Sequence, residues 1–335
     1  MQVVHPFVVL GVLALLAGCG SSPGGSPNPP TQDAGIQTPT APGWTAVRQL
    51  PVGVGEATLV TGSGKLYVLG GYDTLDVVQI YDIASDTWAI GPSLPSGTDN
   101  AGAVVDGSRL LVFGGEATPR VQILDLSQGR WSAGPDLPSP RFSSVVERLG
   151  TEVHLVGGWS FDRSNNTSLA SHAVFDLSAD AYAAGPFAPL PTARNHAYSG
   201  VLGGKLVVTG GRAPGHEGND GSNVATTEVY DPGTGAWAAL ADLPTPRSGG
   251  AAAVLDGKLI VMGGGLPGNT VYKRVDRFDP GTGSWEQLPD MPIELTGHRA
   301  VAVGSDLYVV GGFRTSNGVR QGFAGVPFVW RYRPP

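Results

Sequence analysis

Cysteine and basic residues are scarce in this chain, and each shortage excludes a class of function. The 335 residues include one cysteine, Cys19, so no disulfide framework and no cysteine-rich metal site can form within the chain. The 21 lysines and arginines never form a run longer than two and are outnumbered by 28 acidic residues. Because a nucleic-acid partner needs a positive surface to neutralise its phosphates, we expect no nucleic-acid binding.

Metal, cofactor and nucleophile motifs are missing as well. The six histidines do not stand at the spacing of metal ligands, so the sequence predicts no metal and no cofactor. The run Gly263-x-Gly265-x-x-Gly268 matches a dinucleotide fingerprint by letter, but Pro267 interrupts it and no helix pattern follows, which indicates a loop. No nucleophile elbow and no Ser-His-Asp order is recognisable. No local motif therefore identifies a catalytic site.

Glycine and proline are abundant, with 51 and 28 residues spread along the chain, which indicates many tight turns between short strands. Six glycine pairs recur, each starting 19 residues after a proline. The pairs are Gly70-Gly71, Gly114-Gly115, Gly157-Gly158, Gly210-Gly211, Gly263-Gly264 and Gly311-Gly312, and the prolines are Pro51, Pro95, Pro138, Pro191, Pro244 and Pro292. A separation that holds six times identifies an internal repeat.

Each repeat contains strand-like runs in a fixed order. Ala251–Leu255 and Lys258–Met262 flank Asp256-Gly257, which is a two-residue hairpin signal because both turn positions favour a positive φ. The same signal recurs as Asp106-Gly107. A third run ends in an apolar residue followed by Asp, as in Tyr230-Asp231, and an aromatic residue of the fourth run comes seven positions after that apolar residue. These aromatic residues are Trp88, Trp131, Tyr182, Trp237 and Trp285, and Trp44 has the same place ahead of the first repeat.

A four-stranded unit with a period of 43 to 53 residues, repeated six times, predicts an all-β, six-bladed β-propeller with four antiparallel strands in each blade. The last repeat stops after its third strand, whereas Trp44 lies in a fourth strand that no other strand precedes. We therefore expect the strand at 44–50 to complete the last blade and remove the free sheet edges, so that the propeller spans residues 44–335.

These motifs resemble the kelch family over about residues 44–334. The resemblance rests on the double glycine after the second strand, the aromatic-Asp of the third, and the Trp of the fourth followed by Leu-Pro. Tyr182, Leu124 and Arg333 depart from the pattern as ordinary drift. Galactose-oxidase-type copper enzymes also use kelch propellers, but they need a Cys-Tyr crosslink, and Cys19 stands ahead of the predicted propeller. We therefore exclude that activity.

An uncharged, mostly apolar run fills residues 1–18 and breaks at the only cysteine, which indicates an export signal rather than a membrane span. Leu16-Ala17-Gly18-Cys19 resembles the lipobox of bacterial lipoproteins, although no Lys or Arg precedes the apolar run. The resemblance implies that Cys19 is lipidated and, with Gly20 after it, that the outer membrane carries the protein. A chance thiol in an ordinary signal peptide is the alternative. Residues 19–43, rich in Pro, Gly and Ser, are expected to form a disordered tether.

The insertions between repeats all fall on one face of the predicted propeller, where the links from strand two to three and from strand four to the next blade emerge. We expect this loop-rich face to bind a ligand. Arg141, Arg194 and Arg247, each three residues past its proline, would lie near the channel mouth and bind a carboxylate or sugar acid. Their alternative role is structural, bonding loop carbonyls of the next blade. The further candidates, close to them in sequence, are His196, His298 and Arg299.

Without a catalytic motif, we expect a monomeric, non-enzymatic binding or scaffold module for a protein or a glycan. The alternative is a sugar-acid mutarotase or epimerase, because the kelch-type N-acetylneuraminate epimerases are similar exported six-bladed propellers. In that case the three arginines would hold the carboxylate while a Glu or a His moves the proton. Candidates for that proton transfer are Glu217, Glu294, His196 and His298.

Changing Cys19 to Ser should release the protein from membranes, because the acyl chains expected on this residue would be absent. Fractionation of cells that produce each form measures the membrane-bound share. Continued sedimentation of the Ser variant with the membranes would contradict lipidation at Cys19.

Overall fold

Short antiparallel strands make up the described part of the chain. The computed structural model describes residues 38–334, except 116–117, 163–164, 215–221, 266–269, 317–318 and 321–323. The predicted export signal, Cys19 and most of the predicted tether lie outside the described residues. Within that described part, no helix is both long and apolar enough to cross a bilayer.

The strands follow one another in a regular order. They are β1 (Trp44–Ala46), β2 (Thr58–Gly62), β3 (Lys65–Leu69), β4 (Val78–Asp82), β5 (Thr87–Ile90), β6 (Gly102–Asp106), β7 (Arg109–Phe113), β8 (Val121–Asp125), β9 (Arg130–Ala133), β10 (Val145–Leu149), β11 (Glu152–Val156), β12 (Trp159–Asp162), β13 (Asn165–Ser168), β14 (His172–Asp176), β15 (Ala181–Tyr182), β16 (Tyr198–Leu202), β17 (Lys205–Thr209), β18 (Thr227–Asp231), β19 (Ala236–Leu240), β20 (Ala251–Leu255), β21 (Lys258–Met262), β22 (Val275–Asp279), β23 (Ser284–Leu288), β24 (Leu295–Thr296), β25 (Arg299–Val303), β26 (Asp306–Val310), β27 (Phe313–Ser316), β28 (Val319–Arg320) and β29 (Val329–Tyr332).

Pairing of these strands gives six antiparallel sheets of four strands, each of which is one blade. Blade 1 is β2 to β5, blade 2 is β6 to β9, blade 3 is β10, β11, β14 and β15, blade 4 is β16 to β19, blade 5 is β20 to β23, and blade 6 is β25, β26, β29 and β1. The first strands of neighbouring blades contact one another in a closed ring. The predicted all-β, six-bladed propeller is confirmed.

Burial in each blade follows from its position between two neighbours. The second strand of every blade has four buried residues in succession, as in Leu66–Leu69, because adjacent blades cover both of its faces. The fourth strand is mostly exposed, but in blades 1, 2, 4 and 5 the N–H of its Trp donates to a carbonyl of the preceding blade at 2.8–3.0 Å. Tyr182 replaces this Trp in blade 3 and packs edge-on against Phe175.

The amino-terminal strand completes the last blade, as the sequence predicts. β1 pairs with β29 so that Trp44 lies opposite Tyr332, and the two rings stack with their centroids 4.2 Å apart. The regular ladder is shorter than predicted, since β1 ends at Ala46. Two further backbone bonds extend the contact, from the N–H of Val47 to Val329 and from the N–H of Leu50 to Pro327. Closure therefore uses the whole of the predicted segment.

A circle of six backbone hydrogen bonds joins the blades around the channel. In each blade, the residue that stands two positions before the first strand donates its N–H to the carbonyl of the equivalent residue in the preceding blade. The six N···O distances are 2.6–3.0 Å. These six residues, which we call the mouth ring, are Glu56, Asn100, Ser143, His196, Gly249 and Gly297. All have a φ between 49° and 68°, a conformation that only glycine adopts without cost. The circle therefore imposes the same backbone geometry on four residues with side chains.

The glycine pair of each repeat is required where one blade meets the next link. At the first glycine φ is positive, and an added Cβ at Gly70, Gly157 or Gly311 would lie 2.0–2.6 Å from a carbonyl oxygen of that link. The N–H of the second glycine donates to a carbonyl of the same link, as from Gly158 to Arg194 at 2.9 Å. Any side chain at the first position would push the blades apart.

The hairpin prediction is correct at one turn and displaced at another. Asp256-Gly257 has φ values of 50° and 70°, the geometry expected of a two-residue hairpin. In blade 2, however, Asp106 pairs with Arg109, so the two-residue loop is Gly107-Ser108 and Asp106 ends the strand. Because the turn is shifted by one residue, the positive φ falls on Gly107 and not on Asp106, so the aspartate is not strained.

Removing the closing strand should destabilise the whole ring. A chain that begins at Val52 loses the buried Trp44, a change of about 3–5 kcal/mol for such a side chain, and exposes the edge of β29. We expect a melting temperature lower by at least about 5 °C. The matched control begins at residue 38, which keeps β1 and the carbonyl of Pro39 that accepts from the indole of Trp330. Equal melting temperatures would contradict the closure.

Candidate functional site

Two cavities lie along the central channel of the described propeller. At the loop-rich face, a cavity of about 160 Å³ lies inside the mouth ring, and we call it the mouth cavity. A wider cavity of about 450 Å³ continues toward the opposite face and is lined mainly by Ala, Val and Gly of the six first strands. Polar and charged side chains concentrate at the mouth cavity, so this end of the channel is the candidate functional site.

Of the six predicted site residues, His196 and Arg299 border the mouth cavity and the other four do not. His196 belongs to the mouth ring, and Arg299 begins β25 two residues after Gly297. The guanidinium of Arg299 reaches across to Asn100 and donates to its Oδ1 at 3.2 Å. His298 is fully buried beside them, and burial lowers its pKa to about 3, which keeps its imidazole neutral.

A chain of hydrogen bonds passes through His196. The hydroxyl of Ser143 lies 3.0 Å from Nε2 of His196, and Nδ1 of His196 contacts Oδ1 of Asn195. Asn195 is buried, and its Nδ2 donates to Oγ of Ser168 at 2.7 Å. Oγ of Ser168 in turn donates to the backbone carbonyl of Arg212 at 3.3 Å. We call Ser143, His196 and Asn195 the serine relay.

The electrostatics of the mouth keep His196 neutral. Burial, together with the positive charges of Arg212 and Arg299, holds the pKa of His196 well below its usual range. Burial also lowers the pKa of Arg299, and the negative charges of Glu56 and Asp99 oppose that effect. The mouth therefore combines cationic and anionic groups with a neutral imidazole at pH 7.

A half-buried carboxyl group, that of Glu147 in β10, also borders the mouth cavity. Burial raises the pKa of Glu147, while a hydrogen bond at 2.8 Å from the hydroxyl of Ser199 partly offsets that rise. Glu147 and His196 border the same cavity. The mouth cavity thus offers a carboxyl group, an imidazole and a guanidinium to one small ligand.

Arg141, Arg194 and Arg247, which we call the interblade arginines, lie outside the mouth cavity. They are 3%, 1% and 0% exposed, and their guanidiniums point into the blade that follows their link. Arg194 donates to the carbonyls of Gly210 and Thr226 at 2.9 and 2.7 Å and pairs with Glu228. The structure thus matches the structural alternative that the sequence leaves open for Arg194.

The other interblade arginines repeat this arrangement. Arg247 pairs with Asp276 at 2.8 Å and donates to the carbonyls of Val261 and Gly263. Arg141 makes longer contacts of 3.5 Å to the carbonyls of Gly157 and Ser171. The backbone carbonyl of each arginine accepts from the second glycine of the preceding blade. Each residue therefore connects two blades, one through its main chain and one through its side chain.

Two histidines outside the mouth form a buried pair. Nδ1 of His172 contacts the carbonyl of Ala188 at 3.1 Å, so Nε2 of His172 accepts from Nδ1 of His154 at 2.8 Å. Burial lowers the pKa of both imidazoles to about 4. Of the proton-transfer candidates, Glu294 is exposed on a link, and Glu217 lies outside the described residues. No group of three or more His, Cys, Asp or Glu able to hold a metal occurs among the described residues.

Several residues of the mouth were not predicted. They are Asn100, Ser143, Glu147, Asn195, Ser199 and Arg212. Each mouth-ring residue stands five positions after the proline of its repeat, and this position carries Glu, Asn, Ser, His, Gly and Gly in the six repeats. A residue that varies at a fixed distance from the proline of every repeat was the signal that would have located the mouth ring.

Comparison with protein families agrees with this fold. A model described as the KLHDC2/KLHL20/DRC7 Kelch-repeats domain matches residues 136–312, and a Kelch motif model matches residues 55–95. The chain belongs to the kelch-repeat family. The solved structure titled "Structure of YjhT" superposes with a TM-score of 0.74 over 85% of this chain and 96% of that chain. At 15% identity this similarity supports the kelch propeller fold alone.

Curated kelch relatives match only parts of their own length. The Kelch-like protein terF of Aspergillus terreus is 28% identical over 247 residues, which are 67% of this chain and 52% of that protein. The Influenza virus NS1A-binding protein homolog of Mus musculus is 33% identical over 101 residues, which are 30% of this chain and 15% of that protein. The kelch chain described here thus spans about half the length of the first relative and less of the second.

Changing Arg194 to Met should destabilise the propeller by about 3–5 kcal/mol, because Glu228 would remain buried without its cation. The double change of Arg194 and Glu228 to Met should recover much of this loss, since neither charge then remains. Urea denaturation measures both free energies of unfolding. Equal stability of the wild-type protein and the Arg194→Met variant would contradict the structural role.

Proposed function

We propose that this kelch propeller is a lipid-anchored protein of the bacterial cell envelope that acts as a binding or scaffold module for a protein or a glycan. The kelch-repeat family supports a protein ligand, because kelch domains generally mediate protein interactions. The predicted export signal and the resemblance to a lipobox around Cys19 support the envelope location. The loop-rich face is the proposed contact surface.

One observation carries this proposal: the two faces of the propeller differ in construction. At the loop-rich face, β12 pairs with β13, and β24, β27 and β28 form a further sheet, so blades 3 and 6 carry structure beyond their four strands. On the other face, the first and second strands of each blade join by two-residue turns, as at Gly203-Gly204. A rigid ring that elaborates one face only is typical of a binding surface.

Exposed apolar side chains mark the same face. Among the described residues, Tyr72 and Leu75 are large apolar residues that are 40% and 38% exposed, and both lie in the link between β3 and β4. The ring of Tyr72 meets Phe313 of blade 6 edge-on, with centroids 6.2 Å apart. Because aromatic residues dominate the energetics of protein contacts, we expect Tyr72 and Leu75 to contact the partner.

A matched pair of variants tests the binding function. In one, Tyr72 and Leu75 become Ser; in the other, Ile90, which is 59% exposed at the end of β5, becomes Ser. Immobilised protein is exposed to envelope extract, and bound proteins and glycans are quantified. We expect the first variant to hold its partner at least about 10-fold more weakly and the second to bind as the wild-type protein does. Equal binding by all three would contradict the proposed surface, and sugar turnover would contradict a purely binding role.

The mouth cavity favours a second candidate, a sugar-acid mutarotase or epimerase. Arg299 would hold the carboxylate, and His196 or Glu147 would move the proton, in place of the interblade arginines. One-dimensional NMR of the N-acetylneuraminate anomers, with and without protein, measures mutarotation. We expect faster exchange with the wild-type protein and loss of that acceleration in the Arg299→Met variant. An unchanged exchange rate with the wild-type protein would exclude this candidate.

A further inference from the structure

We propose that Ser143 is a nucleophile activated by His196, and that the mouth cavity hydrolyses carboxylic esters with a small acyl group. This activity goes beyond the binding function proposed above and does not depend on it. Ser143 ends the link into blade 3, and His196 and Asn195 end the link into blade 4, so the relay is assembled where two blades meet. Hydrogen-bond direction, backbone geometry and the charges around the cavity all suit this role.

The direction of every hydrogen bond in the chain is fixed from its far end. The carbonyl of Arg212 can only accept, so the hydroxyl of Ser168 donates to it, and Oγ of Ser168 accepts from the amide of Asn195. Oδ1 of Asn195 then accepts from Nδ1 of His196, which leaves a lone pair on Nε2. The hydroxyl of Ser143 donates to this lone pair at 3.0 Å. This is the orientation that a serine needs to lose its proton.

The mouth ring holds Ser143 in a conformation suited to a nucleophile. Its φ is 50°, and its backbone N–H is bound to the carbonyl of Asn100 at 2.8 Å. The residue is half-buried and borders the mouth cavity. A serine on a sharp backbone turn with positive φ, bonded to an imidazole, presents its lone pairs to a bound substrate.

N–H donors for the developing oxyanion border the same cavity. Arg299 and Asn100 carry a guanidinium and an amide, and the hydrogen bond between them positions both groups. Preorganised donors of this kind stabilise the negative oxygen of a tetrahedral intermediate. The cavity of about 160 Å³ has room for a small acyl group beside them. Acetyl and similar esters are therefore the substrate class.

The two cationic side chains that act on His196 favour an anionic ester beside it. Arg212 and Arg299 both act on His196, and Arg212 Nη2 lies 3.6 Å from the position that a Cβ on Gly249 would occupy. A negative charge on the ester offsets these cations and stabilises the imidazolium that forms when His196 accepts the proton.

The reaction balances without a cofactor. Oγ of Ser143 bonds to the acyl carbon while its proton passes to Nε2 of His196. The bond from the acyl carbon to the alcohol oxygen then breaks, and His196 returns the proton to that oxygen, which leaves as the alcohol. A water molecule next attacks the acyl-serine, gives its proton to His196, and releases the acid as Ser143 recovers its proton. The sum is ester plus water giving acid plus alcohol.

Fluorophosphonate labelling of the full-length protein tests this proposal. We expect one covalent adduct, which peptide mass spectrometry places on Ser143. The Ser143→Gly variant should lose the label, and the His196→Asn variant should react at least about 100-fold more slowly, the usual scale of general-base assistance. The adjacent Ser144→Ala variant is the matched control and should react within about two-fold of the wild-type protein. Hydrolysis of p-nitrophenyl acetate should follow the same order.

Both test variants suit the backbone that they occupy. Glycine stands at two of the six mouth-ring positions, and asparagine tolerates a positive φ, so unchanged melting temperatures are expected. A label on another residue, a label that persists in Ser143→Gly, or equal rates in His196→Asn would overturn the proposal. Partner binding and anomer exchange are measured separately, and the Ser143→Gly variant should leave partner binding intact. Failure of one function is thereby distinguished from failure of the other.

Discussion

Six backbone hydrogen bonds close a circle around the channel, and the rest of the structure depends on it. Each blade supplies one N–H and one carbonyl, so no member has a free end. Since every link must reach this circle at the same depth and with the same positive φ, the first strands start in register around the axis. Blades of different loop length can therefore surround one regular channel.

Further from the axis, neighbouring blades are also joined by contacts that recur at equivalent positions. Glycine pairs let the link approach the preceding blade, the interblade arginines fill the space behind the link, and the outer Trp residues join the fourth strands. In blade 2, Thr98 occupies the position that the interblade arginines have in other blades. The hydroxyl of Thr98 donates to the carbonyl of Gly114 at 3.2 Å. A smaller side chain meets the same carbonyl that a guanidinium meets elsewhere. The repeat thus conserves a contact geometry rather than a residue.

The fold follows from the sequence because a propeller is determined by short-range signals. The 19-residue distance from proline to glycine pair fixes two strands and a turn, and six copies with complementary ends predict a closed ring. The displaced turn at Asp106 shows the limit of that approach, since a one-residue shift between hairpin types leaves the pattern of apolar residues unchanged.

Only some residues of the mouth cavity could be predicted from the sequence. His196 and Arg299 were predicted from their closeness to the arginines, yet the arginines themselves lie in the blades. Ser143 and His196 are in different repeats, and Asn195 acts through a hydrogen bond that no spacing rule describes. Pairing across blades is a property of the ring, so a motif search along one repeat cannot find it. The circle of backbone hydrogen bonds in the mouth ring brings residues of different repeats together, and the sequence pattern within one repeat does not indicate these contacts.

The closing strand has a consequence for the order in which the protein folds. Among the strands of the propeller, β1 is synthesised first, and its partner β29 is synthesised last. Blades 1 to 5 pair within short stretches of chain and can assemble as they emerge, whereas β1 stays unpaired until β29 has been synthesised. During that interval the nascent protein is an open arc with two exposed sheet edges. The protein is therefore most vulnerable to proteases and to misassembly in the interval before β29 is available.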